Sequence, residues 1–170
     1  MSQHTERSSY RDKLVEHLFI GELMKLSWLH HECGLEVAKP EIDDSGYDII
    51  AETKGLVRHI QIKTSTSSGK AANQKVHIKL LEKPSACVVW IYFNEQTMRL
   101  GPFRYFGAEA GKLMASLSGF KIGRHTKGNK DGLKAERPNI RVVPKGSFKK
   151  IDCIEGIYAQ LFQTGMVHAL

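Results

Sequence analysis

Gly46-Tyr47-Asp48-Ile49-Ile50, a short turn, and His59-Ile60-Gln61-Ile62-Lys63 decide how this chain is read. Alternation of two puts Gln61 and Lys63 on one face of the second run and Ile60 and Ile62 on the other, the pattern of a β-strand. If Lys54-Gly55 makes a two-residue turn, Thr53 pairs with Leu56 and Asp48 falls opposite Gln61, with Cβ atoms roughly 4.5–5.5 Å apart. An acid, an amide oxygen and an ammonium so placed could hold a divalent cation beside a negatively charged substrate.

Upstream, residues 9–31 repeat with a helical period. At about 100° per residue Val15, Leu18, Phe19, Leu26 and Leu29 form one stripe, and Glu22 lies in its middle. Glu16, the other candidate acid, sits roughly 100° from Val15, near the stripe's edge. A carboxylate at the centre of a core-facing stripe is costly unless a cation or hydrogen bonds compensate it. A salt bridge from the wet end of the stripe would suffice; beside the hairpin, Glu22 is expected to be a metal-site acid.

These residues resemble the PD-(D/E)XK nuclease superfamily, in which a helical Glu precedes a hairpin carrying Asp and then Glu-x-Lys. The matching words are Gly21-Glu22, Asp44-Ser45-Gly46-Tyr47-Asp48 and Gln61-Ile62-Lys63-Thr64-Ser65. The resemblance is greatest to small bacterial members and covers roughly residues 9–95. It implies an α/β, restriction-endonuclease-like core, a mixed sheet of four to five strands flanked by helices. It also implies metal-dependent endonuclease hydrolysis of DNA phosphodiester bonds. Asp48, Gln61 and Glu22 would position Mg2+, with Mn2+ able to substitute, and the Ile62 carbonyl would add a ligand. Lys63 would orient or activate the attacking water. Gln61 departs from the Glu or Asp of many members, which removes a negative charge from the metal site.

A chain of 170 residues suits one domain, divided into a core at about 9–118, a basic segment at 119–150 and a C-terminal helix at about 151–163. No apolar run approaches the ~18 residues of a membrane span, and residues 1–11 show no secretory pattern. Cys33, Cys87 and Cys153 are odd in number and far apart, which argues for a reducing, cytoplasmic setting. The net charge of +7 is concentrated: residues 121–150 hold ten Lys or Arg against Asp131 and Glu136, leaving −1 for the rest. That concentration suits a polyanion. Lys121, Arg124, Lys127, Lys130 and Lys134 are the expected phosphate contacts, with the Thr64 and Ser65 hydroxyls beside the site. The expected partner is therefore DNA and not a membrane, bound by a monomer, a homodimer or a higher homo-oligomer. Two alternatives stand: a DNA-binding module without cleavage, and a nuclease acting on RNA.

The remaining elements are expected as follows. Gly34 caps the first helix, and strands run over 35–38, 76–81, 86–93 and 97–103. A helix over about 105–117 precedes a long loop or flap at 119–138, a short strand at 139–143 and a closing helix at 151–162. The cluster of His30, His31 and Cys33 lacks a paired ligand motif and reads as polar residues at a helix end.

Overall fold

The structure, a computed structural model, describes residues 7–30, 32–42, 44–125, 128 and 132–163. Helix α1 (Ser8–His30) leads into strands β1 (Glu36–Ala38), β2 (Ile49–Thr53), β3 (Leu56–Thr66) and β4 (Asn73–His77). Strands β5 (Ala86–Phe93), β6 (Leu100–Gly107), β7 (Lys121–Arg124), β8 (Glu136–Pro144) and β9 (Lys149–Ile151) follow, and helix α2 (Ile154–Phe162) closes the order. The fold is mixed α/β, as expected. Its main sheet has six strands, not four or five, in the order β1-β2-β3-β5-β6-β9. Strands β3 and β5 are parallel, and the other neighbours are antiparallel. A second sheet, β4-β8-β7, stands where a flanking helical layer was expected.

Strand β5 shows why the sheet is covered on both sides. All eight of its residues are buried, which is what a continuous apolar run in a central strand requires. Cys87, Val89, Ile91 and Phe93 pack with Val15, Phe19 and Leu23 of α1 and Ile157, Tyr158 and Leu161 of α2. Val88, Trp90 and Tyr92 pack on the opposite face with Val76, Val143 and Phe148, in and beside the second sheet.

Helix α1 buries Val15, Glu16, Phe19, Leu23, Leu26 and Ser27. These cover an arc of about 120°, which takes in Glu16 and leaves Glu22 outside. The expected stripe was turned away from this arc because apolar residues surround the helix. Tyr10, Met24, Trp28 and Leu29 are all exposed, so periodicity alone does not select the buried face. The left-handed residues after the helix are Glu32 and Cys33, not Gly34; the Cys33 amide closes the end by donating to the Ser27 carbonyl at 3.0 Å.

Four further expectations change. Residues 105–107 continue β6, because Tyr105 and Phe103 alternate inward and Gly107 crosses Cys87 so closely that a Cβ would lie 2.5 Å from the Cys87 Cα. Residues 78–82 form a 3-10 turn after β4, so the 76–81 strand is shorter and earlier. Within the expected 119–138 loop, β7 and the start of β8 pair across a bulge at Ile122/Gly123. Gly123 is required there, since a Cβ would meet Ile140 Cγ2 at 2.6 Å. Ile151 belongs to β9, and α2 begins only at Ile154.

The hairpin register matches the sequence reading: Thr53 pairs with Leu56 and Ile49 with Ile60. The approach to it is held by Gly46 at φ +80°, packed so that a Cβ would lie 2.9 Å from His77 Cβ. Lys79 bonds Asp44 at 2.8 Å, and the Tyr47 ring meets His59 edge-on at 5.0 Å. Gly46→Ala should therefore lose about 1–2 kcal/mol from the left-handed backbone alone, with the His77 contact adding to it. A urea unfolding midpoint equal to the parent's would show that this loop does not hold the strand.

Candidate functional site

Strand β2 stops short of β3. Ile49 pairs with Ile60, while β3 continues beside β5 as far as the Thr66–Phe93 pair. Residues 61–66 thus lack a β2 neighbour. The space left is a cleft of about 460 Å³, lined by Ser9, Arg11, Asp12, Lys13 and Glu16 of α1, by Asp48, Ile62, Lys63 and Thr64, and by Gln74 of β4.

Asp48 stands at the mouth of the hairpin. Its amide donates to the Ile60 carbonyl at 2.9 Å, and its Oδ2 accepts the Ile62 amide at 2.6 Å. The carboxylate is thereby fixed against the backbone of β3. The ladder ends at the Ile49–Ile60 pair, and Gln61 is the next residue along β3, between the two residues that Asp48 bonds. Gln61 is buried, and its Oε1 has no hydrogen-bond partner among the described residues. A buried amide oxygen left in this way is costly, and it is the kind of oxygen donor a hard cation takes. Among the described residues no three His, Cys, Asp or Glu side chains cluster as a metal group. A cation here would need amide and carbonyl oxygens beside Asp48, and Gln61 and the Ile62 carbonyl are of that kind.

Glu22 does not join this cleft. It lies with Leu18, Met98, Asp152 and Glu155 around a separate hollow, pairs with Lys25 at 3.5 Å, and is 41% exposed. The acids that α1 does present to the cleft are Asp12, paired with Arg11 at 2.9 Å, and Glu16, six residues before Glu22 and so about 9 Å back along the helix and about 120° round it. The Glu16 side chain is only 5% exposed. Lys13 Nζ donates to Oε2 at 3.0 Å, and Lys39 Nζ, from the chain just after β1, donates to Oε1. Burial pushes this carboxyl up, but the bonds from Lys39 and Lys13 outweigh it and hold the group below its ordinary value. The Lys39 partnership carries no signature in the sequence, because it joins residues 23 positions apart.

The expected nucleic-acid contacts are dispersed. Thr64 Oγ1 donates to Asp12 at 2.7 Å, and Ser65 Oγ accepts from Trp90 Nε1 at 2.9 Å. Lys121 and Arg124 are exposed on β7, and Lys134 is exposed before β8. Arg124 pairs with Glu136 at 3.4 Å, and its carbonyl accepts from Lys75 at 3.1 Å. Lys127 and Lys130 lie outside the described residues. The basic strand joins the cleft through its own sheet: β7 pairs with β8 and β8 with β4, which carries Gln74.

No family model and no curated protein matches the chain. A bacterial homing endonuclease, I-Ssp6803I, is a distant structural neighbour, at a TM-score of 0.38 and 15% identity over 75% of this chain and 88% of its own. Among the described residues, no helix is long and apolar enough to cross a membrane.

The Glu16 carboxyl gives a pH test. Its folded pKa lies below the unfolded one, so its ion pairs stabilise the protein above the ordinary glutamate range, and that contribution is lost as pH falls through the folded value. Parent and Glu16→Gln should differ in urea stability at neutral pH and converge as pH falls through and below the ordinary glutamate range. A constant difference down to that point would mean that the carboxylate charge contributes nothing.

Proposed function

We propose that the protein is a metal-dependent endonuclease that hydrolyses phosphodiester bonds of DNA in the Asp48 cleft. One observation carries the reading: the Asp48 carboxylate is fixed by the Ile62 amide in a cleft that Lys63 also lines, and the neighbouring β3 residue, Gln61, has a buried amide oxygen without a partner among the described residues. Asp48, Gln61 and the Ile62 carbonyl are the residues that would hold Mg2+, or Mn2+ in its place. All three offer oxygen, and Mg2+ is typically bound through one or two carboxylates completed by water and substrate phosphates. When bound, the cation supplies Lewis-acid polarisation of a phosphodiester and a more acidic water.

The chain's own groups supply the rest. Lys63, on the strand residue next to Ile62, orients the attacking water and offsets charge developing on phosphate oxygens. The Ile62 amide keeps the Asp48 carboxylate from turning away. Lys121, Arg124 and Lys134, with Lys127 and Lys130, hold the DNA backbone through contacts that do not depend on sequence. The rival reading, a DNA-binding module without cleavage, draws on the neutral Gln61 and on the lysines that already occupy Glu16. Incubation with supercoiled, linear and branched DNA, and with RNA, in Mg2+, Mn2+ or EDTA separates these readings.

Asp48→Ala and Lys63→Ala should each lower nicking by roughly 100-fold or more and leave DNA binding in EDTA intact. Nicking equal to the parent's would assign the activity to a contaminant or to another site. Gln61→Glu should keep or raise Mn2+ affinity by restoring a charge; complete loss of activity in this variant would mean that the amide's donor group is needed and that Gln61 is not a ligand. In the basic strand, Lys121→Ala with Arg124→Ala should flatten the log affinity against log salt slope by about 1.8 for duplex DNA. An unchanged slope would put the DNA path elsewhere.

A further inference from the structure

We infer that Glu16 is a positioning residue, not a cation ligand: it presents the ammonium groups of Lys13 and Lys39 as a clamp for a phosphate of the substrate strand. This rests on the reading of the cleft as a nucleic-acid site and names how that site grips its ligand. Both oxygens of the Glu16 carboxylate are engaged, Oε1 by Lys39 and Oε2 by Lys13. To ligate a cation, the carboxylate would have to bring it against these two ammonium charges, in a place where the acid is 5% exposed and repulsion is little screened.

The cations exceed what burial of one acid requires. One ammonium neutralises one carboxylate, and the second leaves the trio at +1; the other charged residues that line the cleft, Arg11 and Lys63 against Asp12 and Asp48, balance one another. The two lysines are also wetter than the acid they flank, 66% and 38% exposed against 5%. An ammonium has three N–H donors, so the one carboxylate oxygen that Lys39 holds does not exhaust its capacity for an anion. Lys13 comes from α1 and Lys39 from the chain after β1, so Glu16 brings together two side chains from separate elements. Pre-ordering donors in this way lowers the entropy cost of gripping a phosphate.

The test uses duplex DNA in EDTA, where cleavage plays no part, together with Mn2+ binding to the protein alone. Lys39→Ala and Lys13→Ala should each reduce the magnitude of the salt slope by about 0.9. Lys39→Arg should keep it. Lys39→Gln retains a donor for Glu16 without the charge, and should lose the same 0.9 even if Lys39→Ala folds poorly. Glu16→Gln should bind Mn2+ as the parent does, whereas Asp48→Ala should not. Salt slopes unchanged in Lys39→Gln and Lys13→Ala would overturn the clamp, and so would a Glu16→Gln variant that loses Mn2+ binding as Asp48→Ala does. A parent protein that binds no DNA in EDTA at low salt would instead remove the nucleic-acid reading itself, and the clamp with it.

Discussion

The two left-handed residues at the tip of the β2–β3 hairpin, Lys54 at φ 51° and Gly55 at φ 79°, set the register on which the cleft depends. A two-residue turn of this kind matches the twist of the flanking strands and allows a single pairing. From it follow the Thr53–Leu56 and Ile49–Ile60 pairs, and then the Asp48 carboxylate bonded to the Ile62 amide. A slip of one residue would turn every side chain of β3 to the opposite face. Ile60 would leave the α1 side of the sheet, and Gln61 would enter the apolar core. Burial on both sides of the sheet therefore enforces the same register that the turn selects.

The site opens because the strands are unequal in length. Strand β3 has 11 residues and β2 only 5, so the far half of β3 keeps its parallel bonds to β5 and lacks a β2 neighbour. On the opposite face, the β4-β8-β7 sheet covers Val88, Trp90 and Tyr92 and brings Gln74 to the rim of the cleft. One small sheet thus closes the core and ties the most basic part of the chain to the cleft. This is an economical way to carry a segment too polar to provide much core of its own.

The hairpin, the central strand and the closing helix were legible because each has a strong local pattern. Residues 46–63 alternate around a turn, residues 86–93 form an unbroken apolar run, and Ile157, Tyr158 and Leu161 recur at helical spacing. The choice between Glu16 and Glu22 was not legible. Helix α1 is apolar almost all round, and only packing against the sheet shows that the buried side runs through Val15, Phe19 and Leu23. Strand β7 was hidden for a different reason: Lys121-Ile122-Gly123-Arg124 has charges at both ends and a glycine, and it is a strand because β8 pairs with it. The 105–117 segment resembles a helix in composition. Its first residues complete β6, and Gly107 then makes an approach to Cys87 that a side chain would block.

The substitution at Gln61 and the pairing of Glu16 bear on the same electrostatic question. A cleft in which Glu16 is held by two lysines and Asp12 by Arg11 attracts a divalent cation weakly, because ligand charge is a main source of affinity for hard cations. On the proposed reading, a substrate phosphate supplies the missing negative charge. Cation and DNA then each strengthen the binding of the other, and by linkage the two effects are equal. Lysines at the rim serve this arrangement better than a further acid would. A further carboxylate would raise cation affinity in the absence of DNA and would repel the phosphate that must arrive next. Ammonium groups held on Glu16 attract that phosphate and leave the cation dependent on it.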